Sequence, residues 1–416
     1  MTAYPVPTYS GLSGITRGPD GAVWFTEANT DIIGRIDASG TMTQYSTYPL
    51  YAPAAIATGS DGALWFGAAY GGEIGRMTTS GSVTTYTLPC CVSLAAITPG
   101  PNGALWFTTG YGDQIGQITT SGVVTMYPEI YGSEPMGIVA GPDGALWFAE
   151  SGNYSIGRIT AAGQITEYPL PSSGCCSVGP QWITKGPDGA LWFTEPGNDM
   201  IGRITTKGVA TEYPLPFGIN QSFGGIATGP DGALWFIEQT TNQLVRFTTT
   251  GVVTPYTLAA LDSGAAAITP GPNGSLWFIE TNANQVVSAV ACGLGLNLSL
   301  SGSTLSLGFT ESNAIEVEWS AFTLVIPVRP PATSGLTTLF TFTMPAQTTP
   351  LSFTDQVGGI SGRGTVAVWS TLGNSRAGLV CSDLEFVETG GTGATEADLR
   401  RQILQLGLLP ASAVLR

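Results

Sequence analysis

The chain has 416 residues, enough for two domains, and only 10% of them are charged, against roughly 25% in an ordinary soluble protein. Its formal net charge is −15 and it has no run of basic residues, so nucleic acid and anionic membrane surfaces are not expected partners. No apolar stretch approaches the roughly 20 residues of a membrane span. The opening residues, MTAYPVPTYS, lack the charged and apolar regions of a signal peptide, so we expect an exported form to have lost its signal.

A sequence repeat occupies most of the first 290 residues. Glycines that precede Pro/Ser-Asp/Asn-Gly recur at intervals of 41 to 45 residues, at Gly18, Gly59, Gly100, Gly141, Gly186, Gly229 and Gly271. This is the length of a four-stranded propeller blade. In each copy an apolar run, an Asp-Gly turn, and runs such as ALWFIE, MIGRIT and TEYPLP predict the four strands. The sequence therefore predicts an all-β fold with a seven-bladed β-propeller over residues 1–290.

The second predicted strand of every copy contains a tryptophan. The seven are Trp24, Trp65, Trp106, Trp147, Trp192, Trp235 and Trp277. Bulky aromatic side chains at one repeated position are expected to fill the space between neighbouring blades.

The outermost predicted strand contains a tyrosine in only six copies. Tyr4 precedes Gly18 by the same offset as Tyr45 precedes Gly59, whereas the last copy has no tyrosine strand of its own. We therefore expect residues 2–7 to supply the outer strand of the last blade. Such closure removes the open edge strands that favour aggregation.

In four copies a glutamate is followed eight residues later by an arginine. The pairs are Glu27 and Arg35, Glu150 and Arg158, Glu195 and Arg203, and Glu238 and Arg246. The second and third strands form a hairpin, so we expect a structural ion pair across the two strands. The alternative is that one or two of these glutamates bind a cation near the loops.

The strings GPDGALWFTE, IGRIT and TEYPLP resemble those of streptogramin lyases of the virginiamycin B lyase type, and more loosely those of other NHL-type propellers. The resemblance covers residues 1 to about 290. It implies the propeller fold, and an elimination catalyst that opens a cyclic depsipeptide with histidine and glutamate side chains and a magnesium ion. The chain has no histidine, the side chain best suited to abstract a proton near neutral pH. We therefore expect no lyase activity and no required cofactor, with Mg²⁺ or Ca²⁺ as the alternative.

Six cysteines are candidates for disulfides. Cys90-Cys91 and Cys175-Cys176 lie in connections between blades and are too far apart to join each other. Each pair forms a vicinal disulfide, bridges to another chain or stays reduced, and the vicinal form is favoured. Cys292 and Cys381 are expected to join the first and last strands of the following region. Oxidised cysteines indicate an extracellular or cell-surface location.

From about residue 291 the repeat stops and alternating apolar and polar residues predict seven or eight further strands. They are expected to form a β-sandwich-like domain over 291–390 with Trp319 and Trp369 in its core. A short helical tail is predicted over 391–416, where Thr395 can cap the helix.

No constellation of nucleophile, base and oxyanion donor is apparent, and neither is a phosphate-binding loop. The first hypothesis is a non-enzymatic exported structural protein that associates with copies of itself, into a filament or surface layer, through its C-terminal β-domain. The second is an extracellular binding propeller for a glycan or peptide. The third is a divergent metal-dependent lyase.

Overall fold

The computed structural model describes residues 1–290 except 8, 90–92, 129, 172–177, 218–221 and 261–262. Beyond residue 290 it describes six strands. The chain divides into two compact units, one of residues 2–289 and one of residues 290–416 with Met1.

The first unit contains twenty-eight strands, most of them of four to six residues. The first fourteen are β1 (Thr2–Pro5), β2 (Leu12–Arg17), β3 (Val23–Glu27), β4 (Ile32–Ile36), β5 (Met42–Ser46), β6 (Pro53–Thr58), β7 (Leu64–Ala68), β8 (Glu73–Met77), β9 (Val83–Thr87), β10 (Ala96–Pro99), β11 (Leu105–Thr108), β12 (Ile115–Ile118), β13 (Val124–Met126) and β14 (Pro135–Ala140). The others are β15 (Leu146–Glu150), β16 (Ser155–Ile159), β17 (Ile165–Pro169), β18 (Ile183–Lys185), β19 (Leu191–Glu195), β20 (Met200–Ile204), β21 (Ala210–Pro214), β22 (Phe223–Thr228), β23 (Leu234–Glu238), β24 (Gln243–Phe247), β25 (Val253–Thr257), β26 (Ala265–Pro270), β27 (Ser275–Glu280) and β28 (Gln285–Val290).

These strands form seven four-stranded antiparallel sheets, which confirms the predicted seven-bladed propeller. Blades 1 to 6 each consist of four consecutive strands, beginning with β2-β3-β4-β5 and ending with β22-β23-β24-β25. The first strands of successive blades lie beside one another, and β2 also lies beside β26, so the ring is closed. Three short 3₁₀ helices interrupt the described strands, at Gly110–Gly112, Pro196–Asn198 and Pro272–Gly274. No helix in the described part of the chain is long and apolar enough to cross a membrane.

The seventh blade confirms the predicted closure by the N-terminal strand. Its order is β26-β27-β28-β1, and β1 pairs antiparallel with β28, with Tyr4 opposite Val286. The ring of Tyr4 stacks on Trp277 with a centroid distance of 5.1 Å. Val6, directly after β1, is buried in the same cluster as Trp277. Tyr4 and Val6 thus attach the N-terminal strand to the core of the seventh blade.

The seven repeated tryptophans lie between blades, as predicted. All are buried, and each stacks on a tyrosine in, or directly after, the outer strand of its own blade, at centroid distances of 5.1 to 5.6 Å. Trp24, for example, packs with Ile56, Leu64 and Phe66 of the next blade. Each tryptophan thus joins two neighbouring sheets.

The second unit contains β29 (Leu294–Ser301), β30 (Thr304–Glu311), β31 (Phe322–Val325), β32 (Phe340–Phe342), β33 (Ser352–Gln356) and β34 (Ala367–Ser370). They form two three-stranded sheets, ordered β29-β30-β33 and β32-β31-β34. The β-sandwich, the domain limits at 291–390 and the helical tail over 391–416 stay predictions, because much of this region lies outside the described residues.

Candidate functional site

Two sets of loops share one face of the propeller, which we call the loop face. The first set joins the second and third strands of each blade and comprises residues 28–31, 69–72, 109–114, 151–154, 196–199, 239–242 and 281–284. The second set leads from an outer strand to the next blade and comprises the described residues of 6–11, 47–52, 88–95, 127–134, 170–182, 215–222 and 258–264.

Backbone hydrogen bonds hold the two sets of loops together in every blade. The N–H of Thr47 donates to the carbonyl of Asp31 at 2.9 Å, and that of Val6 donates to Asn284 at 3.0 Å. The accepting residue has a positive φ in all seven blades. Asp, Asn or Gly occupies six of these seven positions, since these residues adopt that conformation at low cost. The loop face is therefore a regular platform rather than a set of independent loops.

Six tyrosines of the loop face expose between 60% and 92% of their surface. Within the described residues every other aromatic side chain is buried or only partly exposed. They follow the ring from its closure to the fourth blade, and are Tyr9, Tyr48, Tyr51, Tyr70, Tyr111 and Tyr131.

These tyrosines contribute little to the propeller itself. The rings of Tyr48 and Tyr51 meet edge to face at 6.3 Å. No side-chain hydrogen bond or ring contact recorded among the described residues involves Tyr70, Tyr111 or Tyr131. Their rings are therefore available to a partner.

The loop face is acidic. Asp31, Asp113 and Glu134 lie in its loops, partly exposed, and Glu73 follows one of them. The sequence of these loops contains neither lysine nor arginine. The eight basic residues before residue 290 lie in third strands, at the ends of first strands or in a turn between third and fourth strands, and are Arg17, Arg35, Arg76, Arg158, Lys185, Arg203, Lys207 and Arg246.

The five framework glutamates lie beneath the loop face, at the ends of second strands. Glu27, Glu150, Glu195, Glu238 and Glu280 are at most 2% exposed. Most are held by donors of their own blade. Glu238 accepts the backbone N–H groups of Thr240 and Thr241 at 2.8 and 2.7 Å, and Glu195 accepts from Asn198 at 3.3 Å.

Burial raises the pKa of Glu27 and Glu280, and hydrogen bonds oppose that shift. Gln44 Nε2 donates to Glu27 Oε1 at 2.7 Å, and the amide of Gln285 donates to Glu280. These bonds favour the charged carboxylate, whereas desolvation favours the protonated acid. The carboxyls are buried structural groups with partners inside their own sheets.

Glu150 differs from the other framework glutamates. Among the described residues neither of its carboxylate oxygens has a hydrogen-bond partner. Burial, and then the charge of Glu167 on the outer strand, raise the pKa of Glu150 to about 8. Glu167 lies opposite Gly157, at the place that Gln44 takes opposite Gly34 in the first blade. Blade 4 therefore has a second acid where blade 1 has an amide donor.

These residues do not fit the magnesium site that the family resemblance implies. The framework glutamates are spread over five blades, and those of blades 1, 6 and 7 bind donors of their own sheets. Among the described residues no group of three or more histidine, cysteine, aspartate or glutamate side chains could hold a metal ion. No catalytic step through a metal follows from this arrangement.

The expected ion pairs between glutamate and arginine are wrong. Strand register places Glu27 opposite Ile32 and Arg35 opposite Trp24, so the two charged side chains lie at different levels of the hairpin. The same register separates Glu150 from Arg158, Glu195 from Arg203 and Glu238 from Arg246.

The arginines instead bind the aspartate of the first turn. In blade 4, Arg158 Nε donates to Asp143 Oδ2 at 2.7 Å, and Trp147 Nε1 donates to Asp143 Oδ1 at 3.0 Å. The guanidinium lies over the indole at 5.8 Å. Partial burial alone would raise the pKa of Asp143, but the bonds from Trp147 and Arg158 outweigh it and lower the pKa. The arrangement locks the turn to the two middle strands.

Blade 3 contains a neutral version of this arrangement. Asn102 accepts from Trp106 at 3.0 Å and donates to Gln117 at 3.0 Å. We therefore expect Asp143→Asn alone to cost about 1 to 2 kcal/mol, because its new amide faces the guanidinium of Arg158. The double variant Asp143→Asn/Arg158→Gln restores the pairing seen in blade 3. Urea unfolding should therefore show that it lowers the free energy of unfolding by about 1 kcal/mol less than the sum of the decreases in the two single variants. Strict additivity would contradict this coupling.

All six cysteines proposed for disulfides lie outside the described residues. Cys90, Cys91, Cys175, Cys176, Cys292 and Cys381 therefore remain candidates, and the vicinal and intermolecular alternatives stay predictions.

Sequence reasoning missed the exposed tyrosines. They lie in loops that differ from blade to blade, so alignment of the repeats does not reveal them. The sequence did contain one signal, which is that these tyrosines lie outside the predicted strands. A tyrosine there does not take part in the stacking that the repeat conserves from blade to blade.

Comparisons with known proteins agree with the fold. A model of the virginiamycin B lyase family matches residues 1–93 and 48–301. A solved streptogramin B lyase is 36% identical with a TM-score of 0.65, over 69% of this chain and 96% of that one. A catalytically inactive histidine-to-alanine variant of virginiamycin B lyase from Staphylococcus aureus, solved with quinupristin, is 35% identical with a TM-score of 0.64, over 69% and 97%.

More distant structures share the fold alone. The extracellular domain of a putative one-component system from B. thetaiotaomicron is 14% identical with a TM-score of 0.56, over 88% of this chain and 58% of that one. No curated protein matches the chain in sequence.

Proposed function

The chain belongs to the virginiamycin B lyase family, and we propose that it is a non-enzymatic extracellular binding protein whose ligand, a glycan or a peptide, docks on the loop face. The observation that supports this proposal is the set of six exposed tyrosines on that face. Single exposed apolar residues are ordinary on a protein surface, but their concentration on one face indicates an interaction site.

Tyrosine suits such a site for physical reasons. Its ring offers a large apolar area at the cost of only two side-chain torsions, and its hydroxyl can donate or accept a hydrogen bond. Both sugar rings and peptide side chains pack on such surfaces. The loops that contain these tyrosines are held in place by backbone hydrogen bonds, so ligand binding requires little loss of loop conformational entropy.

The proposal separates this chain from the catalytic members of its family. The S. aureus lyase variant described above is catalytically inactive with one histidine changed to alanine. This chain has no histidine at any position. Its framework glutamates are buried, and several are bonded inside their own sheets. The site as described therefore lacks histidine, the side chain best suited to abstract a proton near neutral pH.

Removing three tyrosines tests the proposed binding role. We expect the full chain to bind members of a combined glycan and peptide array, and the triple variant Tyr70→Ser/Tyr111→Ser/Tyr131→Ser to lose that binding by at least about tenfold. Affinities of the array hits are then measured by titration in solution. Circular dichroism should be unchanged, since the three side chains are exposed.

A matched control removes exposed apolar side chains from the opposite end of the propeller. Val123, Val209 and Val252 are exposed in turns between third and fourth strands. The variant Val123→Ser/Val209→Ser/Val252→Ser should bind as the unmodified chain does. Equal binding by the tyrosine variant, or no array ligand at all, would contradict the proposed function.

We also propose export and self-association as a second candidate role, in which copies of the chain join through the C-terminal region. It is supported by the 10% charge content and by the paired eight-residue strands β29 and β30. Regular fibres or sheets in electron micrographs would support it, and a monomer at high protein concentration would contradict it.

A further inference from the structure

The charges of the propeller are divided between its two faces. The six salt bridges of the described blades join arginines to aspartates in turns at the face opposite the loop face. Arg17 and Lys185 end first strands at that same opposite face, and Lys207 lies in one of its turns. Every basic group of the unit is thus remote from the exposed tyrosines.

Carboxylates of the loop face lack compensating charges. The side chains of Glu73 and Glu134 make no hydrogen bond or ion pair recorded among the described residues, and both are partly exposed. Glu73 follows Tyr70 by three residues and Glu134 follows Tyr131 by three. Acidic groups therefore alternate along the chain with exposed rings. Their field extends about 8 Å at physiological ionic strength and favours cations.

Exposed tyrosine rings favour the same charge. The face of an aromatic ring is the negative part of its quadrupole, so guanidinium and ammonium groups stack on it favourably. An arginine offers both a planar cation for the ring and paired donors for a carboxylate. A neutral sugar uses the rings alone, and an anionic ligand is repelled by the carboxylates.

We propose that the ligand of the loop face is a cationic polypeptide segment, in which arginine or lysine side chains are interspersed with apolar ones. This inference rests on the binding role proposed above and names its ligand class. The rings of Tyr70, Tyr111 and Tyr131 stack on the cationic and apolar side chains, and Glu73 and Glu134 bind the charges.

Fluorescence anisotropy with three labelled peptides tests this ligand class on the full chain. One peptide of about twelve residues contains arginine and leucine spaced by glycine and serine. The second replaces every arginine with citrulline, which keeps the shape without the charge, and the third replaces it with glutamate. We expect the arginine peptide to bind, the citrulline peptide to bind at least about tenfold more weakly, and the glutamate peptide not to bind. Added sodium chloride should weaken the arginine complex.

Two variants divide the effect between rings and charges. The triple tyrosine variant should bind the arginine peptide at least about tenfold more weakly than the unmodified chain does. Glu73→Gln/Glu134→Gln should weaken it several-fold and flatten its salt dependence. The triple valine variant should behave as the unmodified chain, because its substitutions lie at the opposite end.

The outcomes separate this inference from the proposed function. Equal affinity for arginine and citrulline peptides, or arginine binding that survives loss of the three tyrosines, would overturn the cationic assignment. Tyrosine-dependent binding of a neutral glycan, with no binding of the arginine peptide, would also overturn it while leaving the binding role intact. Spermine that binds as tightly as the peptide would replace the polypeptide with a free polyamine and contradict the inference.

Discussion

Replacing Trp147 with alanine is expected to lower the free energy of unfolding of the propeller by about 3 to 5 kcal/mol. The indole is fully buried, stacks on Tyr168 at 5.4 Å and packs against Ile183 and Leu191 of the next blade. Alanine leaves a cavity between two sheets and removes the indole donor from Asp143. Urea unfolding followed by circular dichroism measures the loss.

Two controls identify the cause of that loss. Trp147→Phe keeps an aromatic ring between the blades and loses only the N–H and part of the volume, so it should cost clearly less than alanine. Tyr111→Ala removes an aromatic side chain that is 92% exposed, and its effect should stay within about 0.5 kcal/mol. A Trp147→Ala loss no larger than that of Tyr111→Ala would contradict the role of the repeated tryptophans.

The fold was predictable because each blade repeats the same physical solution. A glycine turn, a buried aromatic run and a tyrosine strand recur with an interval that fits one four-stranded sheet. Even the closure followed from one offset, because Tyr4 stands where an outer-strand tyrosine is required and stacks on Trp277. Such features depend on the local sequence pattern and are shared by all blades. The seven repeats of one chain can therefore be aligned with one another to identify the framework residues.

The predicted ion pairs between glutamate and arginine were wrong because spacing along the sequence alone does not determine strand register. A better signal was present in the repeats. The turn aspartate and the arginine occur together in five copies and are lost together in the other two, as in Asn102 with Gln117. The glutamate and arginine are not so coupled, since Ala68 accompanies Arg76. Residues that change together are in contact here, as the hydrogen bond from Asn102 to Gln117 demonstrates.

The candidate site was less predictable than the fold for the opposite reason. Tyr70, Tyr111 and Tyr131 lie in loops whose lengths and sequences vary, so no repeat marks them. Their significance depends on exposure and on a shared face, and both are properties of the folded ring. The absence of basic residues from these loops was visible in the sequence, but only the topology brings the loops together.

Glu150 should make the propeller less stable as pH rises from about 4.5 to about 8. Burial and Glu167 raise the pKa of Glu150 from its ordinary 4.5 to about 8. Between these values the folded protein holds a proton that the unfolded chain has released, so the free energy of unfolding falls by up to about 1.4 kcal/mol per pH unit. Glu150→Gln removes this dependence on pH. In urea unfolding, the gain in free energy of unfolding of this variant over the unmodified chain should be near zero at pH 5 and largest above pH 8. An advantage that does not grow with pH would contradict the assignment.

Glu167→Gln should stabilise the charged form of Glu150 by supplying the hydrogen-bond donor that blade 4 lacks. The new amide would lie opposite Gly157. In blade 1, Gln44 lies opposite Gly34 and donates to Glu27 at 2.7 Å. A hydrogen bond to a charged partner stabilises by about 1.5 to 3 kcal/mol, so the gain should appear above pH 7 and shrink toward pH 5. Glu167→Ala removes the repulsion without adding a donor. The difference between the two variants therefore isolates the hydrogen bond. Equal gains would mean that the new amide donates no stabilising hydrogen bond to Glu150, which would contradict this prediction.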